Sequence, residues 1–315
     1  MRYMEVEGLR LSVIGLGTWQ FGSREWGYGD AYATDVAPAL VRRAVELGVT
    51  FIDTAEAYGP ARSERIVGAA VAGLEPRPVV ATKLMPIAPA EAIVAWQARG
   101  SARRLGVSTI DLYQVHWPNA FVSTRRVMQS LRPLVDDGLV AHVGVSNYSL
   151  EAWQEAERAL RRPVLSNQVR FNLACPAPLR DLVPYASASG RVVIAYSPLG
   201  QGLLGGASAA AGVTPGVAAT GATPGVRRMN PLFRGDGPTR AAPLLAAMSD
   251  VAAAHGATPA QVALAWLVSH PGVVAIPGAR TVGQLEENAA AADLELSADE
   301  IARLTDTAED FAARG

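Results

Sequence analysis

Asp53, Tyr58, Lys83 and His116 are the residues whose types and spacing could carry chemistry in this chain. A tyrosine left alone is a poor acid at neutral pH, with a pKa of about 10. A neighbouring ammonium stabilises the phenolate and lowers that pKa. An Asp can hold the Lys charged and in position, and a His can orient a carbonyl oxygen or assist proton transfer. The set suits protonation of a carbonyl oxygen as hydride reaches its carbon. It lacks the paired carboxylates of a typical glycosidase and the clustered His ligands of a metal site. Lys83 is also the only Lys among 28 Lys plus Arg residues. Lys is a compact charge whose pKa moves readily on burial, whereas Arg stays protonated. Ordinary readings stay open for each residue: Asp53 as a loop cap, Tyr58 as a rim aromatic, His116 as a core histidine and Lys83 as a chance survivor.

These residues need elements to hold them. Apolar, β-branched runs occur at 11–16, 50–54, 79–84, 110–117, 143–146, 164–171, 191–196 and 273–277. Most are almost continuously hydrophobic, as strands buried on both faces of a parallel sheet should be. Helical patterns lie between them, at 37–47, 63–71, 89–105, 124–136, 150–160 and 259–269. Gly48, Gly106 and Gly138 read as helix stops, and Ser149 and Thr258-Pro259 as helix starts. Eight strands with intervening helices give an α/β fold, a (β/α)8 TIM barrel, as one domain over 1–315. Asp53, Lys83 and His116 then end three consecutive strands, and Tyr58 follows Asp53 in the next loop. Barrel strand ends converge on one mouth, where active sites are found. A doubly wound sheet is less favoured, because Gly15-Leu16-Gly17-Thr18 is too short to be a dinucleotide-binding glycine motif. Residues 205–237, rich in Gly, Ala, Thr and Pro, read as a flexible loop after the seventh strand. It is either a possible lid, with Leu232-Phe233-Arg234 as its docking point, or an insertion without a role.

Composition narrows the function classes. Half of the 315 residues are hydrophobic, the net charge is −1, and no basic stripe is visible, so no nucleic-acid partner is expected. The Arg pairs at 42–43, 103–104 and 161–162 read as solvated helix faces. No apolar stretch is long enough to cross a bilayer and no signal-peptide core opens the chain, so a cytoplasmic protein with no membrane role is expected. The one cysteine, Cys175, excludes an intramolecular disulfide and a cysteine-rich zinc site. His142, His255 and His270 show no grouping and read as structural. The oligomeric state stays open.

At its candidate residues the sequence resembles the aldo-keto reductase family. Asp53-Thr54-Ala55-Glu56-Ala57-Tyr58-Gly59 with Ser63-Glu64, then Ala81-Thr82-Lys83, then His116-Trp117-Pro118 resemble the family's motifs on its second, third and fourth strands. Ser146 and Asn147 in Gly-Val-Ser-Asn, and Gln168 in Asn167-Gln168, match residues that hold a nicotinamide carboxamide. Tyr196, followed by Ser197, Pro198, Leu199, Gly200, Gly202 and Leu203, is similar to the stretch whose Tyr stacks on the nicotinamide. Ile276, Pro277, Gly278, Ala279 and Arg280, with Gln284, Glu287 and Asn288, resemble the clamp on the adenosine and its phosphate. Gly17, Thr18 and Trp19 open a Gly-Thr-Trp-Gln-Phe-Gly segment like that of a bacterial branch, near the potassium-channel β-subunits.

The resemblance spans about residues 11–296 and implies hydride transfer from NADP(H) to a small-molecule aldehyde or ketone, with no metal. It implies Tyr58 as general acid, Asp53 and Lys83 as its tuning pair, with Asp53 also on the cofactor side, and His116 as substrate-orienting. Trp19, Trp26 and Trp117 could line an apolar substrate pocket beside Tyr58 and His116, with core packing the competing account for Trp117. Arg280 offers a fork for a 2′-phosphate, which favours NADP over NAD, against a plain surface arginine. Residues 205–237 depart from the basic segment that some relatives carry there. The alternative function is a cofactor-binding regulatory or redox-sensing subunit with little turnover, since such subunits can keep all four central residues. A barrel isomerase or lyase using Lys83 as a Schiff base has no use for Tyr58, His116 and Arg280 together.

Overall fold

A computed structural model describes residues 1–22, 32–88, 90–205 and 237–313. An antiparallel hairpin, β1 (Tyr3–Val6) and β2 (Leu9–Ser12), comes first. Its two turn residues, Glu7 and Gly8, have φ of 44° and 81°, the paired left-handed conformation that matches strand twist and that glycine tolerates best. Eight parallel strands follow: β3 (Leu16–Gly17), β4 (Phe51–Asp53), β5 (Val79–Leu84), β6 (Ile110–Val115), β7 (Val140–Ser146), β8 (Val164–Arg170), β9 (Val192–Tyr196) and β10 (Val273–Ala275). Each pairs with its sequence neighbour. A parallel bridge between Ile14 and Ala275 joins the first to the last and closes the barrel. The (β/α)8 architecture expected from the sequence is the one found.

Hydrophobic residues form two layers around this ring. Phe51, Ala81, Leu112, Leu165, Val192, Ile194, Val274 and Ile276 fill the barrel interior, with Val6 and Leu11 of the hairpin beside them. A larger layer lies between strands and helices and includes Trp153 and Trp266, both fully buried. Their indole N–H groups donate to the Val164 carbonyl at 2.9 Å and to Thr305 Oγ1 at 3.0 Å, so neither leaves a polar atom stranded. Ser123, Ser149, Thr258 and Thr281 cap the helices Thr124–Asp136, Leu150–Leu160, Pro259–Val268 and Val282–Ala290. Thr258 and Gln261 complete a reciprocal capping box.

Two local expectations are corrected. The run at 11–16 is not one strand. Leu11 and Ser12 belong to the hairpin, and only Leu16 and Gly17 enter the barrel ladder beyond the Ile14 bridge. A continuous apolar run does not show where a chain changes sheets. Arg104 is not on a solvated face either: its Nε donates to Glu64 Oε2 at 2.5 Å, and Glu64 is fully buried. The possible lid at 205–237 lies, between its two end glycines, outside the described residues, as does Trp26. Among the described residues, no single helix is long and apolar enough to cross a membrane.

Candidate active site

The central residues meet at the carboxyl ends of adjacent strands. Asp53 ends β4, Lys83 stands next to the end of β5, and His116 directly follows β6. Strand alternation turns them inward, because Phe51, Ala81 and Leu112 at the same parity face the barrel core. Below is an apolar floor; above it is a polar mouth.

Lys83 has all three ammonium donors placed. They reach Asp53 Oδ2 at 2.6 Å, the Thr54 carbonyl at 2.9 Å and the Tyr58 hydroxyl at 3.1 Å. The Lys83 and Asp53 side chains are 0% and 3% exposed. A buried ion pair is tolerated when its remaining lone pairs are satisfied, and Asp53 Oδ1 accepts from Gln168 Nε2 at 2.7 Å and Gln114 Nε2 at 3.2 Å. Tyr58 is fixed by its own turn, in which Ala61 N donates to the Glu56 carbonyl and Tyr58 N to that of Ala55. Gly59 follows with φ of 55°, and a Cβ there would meet the Gly22 carbonyl oxygen at 2.1 Å, so only glycine lets this loop close. The Glu56 carboxylate straps the same loop to the β5 exit, accepting from Met85 N at 2.7 Å and Gln97 Nε2 at 3.0 Å.

Burial and charge compete at each titrating group. For Lys83, burial pulls the pKa down, but the Asp53 charge, Tyr58 and their hydrogen bonds outweigh it and the net shift is upward. For Tyr58, burial raises the pKa by more than Lys83 lowers it, so the net direction is upward. That corrects the expectation from the sequence: the ammonium opposes the effect of burial without reversing it. His116 is lowered to about 3, by burial first and the Lys83 charge second, and is neutral at physiological pH. Its Nδ1 is buried without a partner among the described residues, and its ring meets that of Tyr58 edge-on at 5.8 Å. A neutral phenol and a neutral imidazole thus sit together over a buried cation, an arrangement able to donate two hydrogen bonds to one oxygen.

Beside this group lies a second set of polar residues. Asn147 Nδ2 donates to Ser146 Oγ at 3.1 Å and to the His116 carbonyl at 3.3 Å, and the Tyr196 hydroxyl donates to Asn147 Oδ1 at 3.0 Å. Asn147 and Ser197 hold φ of 60° and 50°, left-handed values that cost a non-glycine residue about 1–2 kcal/mol and that cluster at functional sites. An amide pair, a hydroxyl and a half-buried aromatic ring at this spacing fit a flat ring bearing a carboxamide. Pro198 and Leu199 lead from β9 into a tight turn at Gly200–Gly202, ahead of Leu203. Across the barrel seam, Gly17 N donates to the Pro277 carbonyl, and a Cβ on Gly17 would meet the Ile276 carbonyl oxygen at 2.7 Å. Beyond Gly278 and Ala279, the backbone N of Arg280 donates to Gln284 Oε1, while its exposed guanidinium has no partner among the described residues. Asn288 Nδ2 reaches the Gly278 carbonyl at 3.4 Å.

Two of the residues expected at the cofactor turn their side chains into the protein. The Thr18 hydroxyl is buried against the Asp53 carbonyl and Ser63 Oγ, and Glu287 Oε1 accepts from Thr258 Oγ1. Trp19 and Trp117 are 38% and 37% exposed, so core packing does not account for Trp117, whose ring lies 4.6 Å from that of His116. Among the described residues, no group of three or more His, Cys, Asp or Glu side chains could hold a metal. Sequence reasoning gave no role at the site to Gln114, Glu56, Glu64 or Arg104. Gln114 had left a signal: an amide inside the apolar strand Leu112-Tyr113-Gln114-Val115, at the parity of His116.

Comparison with known proteins identifies the family. The family model described as the aldo/keto reductase family matches residues 13–309. An uncharacterized oxidoreductase of Mycobacterium tuberculosis is 54% identical, over 99% of this chain and 94% of that protein. A methylglyoxal reductase of Escherichia coli is 33% identical, over 93% of this chain and 90% of that one. A crystal structure of an aldo/keto reductase from Klebsiella pneumoniae, in complex with NADP and acetate, matches with a TM-score of 0.74 and 32% identity, over 95% of this chain and 92% of that one. The chain belongs to the aldo/keto reductase family. It is an enzyme of the oxidoreductase class, and its family acts on carbonyl substrates.

Proposed function

We propose that this enzyme reduces a small aldehyde or ketone with NADPH, with Tyr58 as the proton donor. The observation that carries the reading is the buried line from Asp53 to Lys83 to Tyr58, 2.6 Å and then 3.1 Å long, which ends in a protonated phenol at the mouth. When bound, a nicotinamide would supply the hydride, with its electron pair, for the carbonyl carbon. As the carbonyl π pair moves onto oxygen, that oxygen takes the Tyr58 proton, and the Lys83 ammonium stabilises the phenolate left behind. Neutral His116 donates a second hydrogen bond to the same oxygen and fixes its direction.

Ser146, Asn147 and Gln168 are the proposed carboxamide seat, and Tyr196 the ring beneath the nicotinamide. The free fork of Arg280 suits a 2′-phosphate, and with it NADP over NAD. The half-exposed Trp19 and Trp117 give the substrate apolar walls, and similarity to a methylglyoxal reductase supports a small carbonyl or dicarbonyl. The segment at 17–22 supports the branch near the channel β-subunits, and with one cysteine the chain makes no demand for an oxidising compartment, in keeping with a cytoplasmic setting.

The test is NADPH oxidation by the purified protein against aldehydes, ketones and dicarbonyls, repeated with Tyr58→Phe. Loss of a general acid lowers kcat by about 10²–10⁴-fold, with NADPH affinity nearly kept. Tight NADPH binding with no carbonyl reduced by the wild type would instead favour a regulatory subunit. Equal turnover in Tyr58→Phe would remove Tyr58 from the role.

A further inference from the structure

The carboxylate of Asp53 has a second partner set that Lys83 does not explain. Its Oδ1 lies between two glutamine amides, from Gln168 on β8 and Gln114 on β6. Gln114 is fully buried, and its own Oε1 lies 3.4 Å from Ser166 Oγ, which can donate to it and so hold the amide in the sense that points its N–H groups at Asp53. Gly144 makes room for this arrangement, since a Cβ there would stand 2.4 Å from Ser166 Oγ and 2.9 Å from Gln114 Cγ. Three strands, β6, β7 and β8, thus contribute to one hydrogen bond behind the ion pair.

We infer that Gln114 is a positioning residue for the proton donor: it holds Asp53 Oδ1 in place and offsets part of its charge, leaving Lys83 free to act on Tyr58. The inference rests on the reading of Tyr58 as general acid. An amide nitrogen carries two N–H groups, so Gln168 can keep one on Asp53 and offer the other, with its Oε1, to a carboxamide. Gln114 faces the interior and has no such second duty. Its removal leaves a buried carboxylate oxygen short of a donor.

The direction of the effect follows from the charges around Tyr58, namely Lys83, Asp53 and the hydroxyl of Tyr196, with neutral His116 edge-on. Asp53 works against ionisation of Tyr58, and Lys83 works for it. Without the Gln114 dipole, the Asp53 charge is less compensated, and Tyr58 becomes a weaker acid.

The experiment is Gln114→Met, close in shape but without the amide, with Ser166→Ala as a milder second variant that keeps the amide and frees it to turn. Three quantities are measured in each protein. They are kcat and KM across pH, the NADPH Kd by fluorescence, and the Tyr58 tyrosinate absorbance of the cofactor-free protein, taken as the difference from its own Tyr58→Phe form. The expected result for Gln114→Met is a kcat about tenfold lower with the carbonyl KM unchanged, an NADPH Kd within about twofold, and a Tyr58 titration moved to higher pH. Ser166→Ala should move the same quantities less and in the same direction. An unmoved Tyr58 titration in both variants overturns the inference. So does a loss of NADPH affinity in step with kcat, which would mean that Gln114 builds the cofactor seat. Failure of the wild type to bind NADPH or reduce any carbonyl would instead strike the functional reading itself.

Discussion

Replacing Lys83 with Met tests whether the buried ion pair is one energetic unit. The side chain is fully buried and its partner nearly so, and the substitution leaves Asp53 with its two glutamine donors and no cation. Removing one member of a buried pair costs about 3–5 kcal/mol, because an uncompensated charge stays behind. With an unfolding entropy of about 2.1 cal/mol/K per residue, a chain of 315 residues loses about 5–8 °C of Tm for that cost. Adding Asp53→Asn removes the stranded charge, so the double variant should regain most of the loss while its turnover stays abolished. Calorimetry on the wild type, the single and the double variant reads this directly. A single variant melting within a degree of the wild type would refute the reasoning, as would a double variant melting as low as the single. The sign with pH is fixed too. Lys83 is held above its ordinary value, so its contribution is full below the unfolded pKa of about 10.4 and is lost as pH rises through the folded value.

Two further outcomes are expected. His116, lowered to about 3 against about 6.5 in the unfolded chain, favours folding fully above pH 6.5 and progressively less as pH falls towards 3; its ring resonances should show no titration between pH 5 and 8, and an NMR midpoint near 6.5 would contradict the buried neutral imidazole. Arg280→Ala should weaken NADPH much more than NADH in fluorescence titrations, and equal losses would mean that its guanidinium does not read the 2′-phosphate.

Much of this molecule was legible because its signals are periodic. Apolar runs alternating with helical patterns gave the barrel, and residues 124–136 and 150–160 were placed to the residue. The hairpin at the amino terminus was missed, although the residues from Tyr3 to Val6 alternate and Glu7-Gly8 supplies a turn, because the following run was read as a single strand. At the site, Asp53, Tyr58, Lys83 and His116 could be named because each residue type has a chemistry of its own. Gln114 left only a weaker signal, an amide inside an apolar strand, which names no role until Asp53 Oδ1 is seen beside it. The pairing of Arg104 with Glu64 was opaque for a related reason: Arg104 reads as solvated until folding brings it to 2.5 Å from a buried carboxylate 40 residues earlier. The net direction of the Tyr58 shift was also out of reach, because it depends on how dry the site is and not only on which residues line it.

That net direction bears on how such a site can work. A lysine strong enough to pull the Tyr58 pKa down to neutrality would leave part of the enzyme as phenolate, unable to give a proton. Here burial opposes the lysine, the net shift of Tyr58 is upward, and the resting tyrosine is protonated. The same burial makes the Lys83 charge act through a medium of low dielectric, where its hold on a developing phenolate is stronger than it would be in water. In the proposed mechanism Lys83 therefore gains most when negative charge appears on the Tyr58 oxygen, as the carbonyl is reduced. An interaction that strengthens on the way to the transition state raises the rate; one already complete in the resting enzyme does not. On that reading the apolar floor of Phe51, Ala81 and Leu112 is as much a part of the acid as the lysine above it.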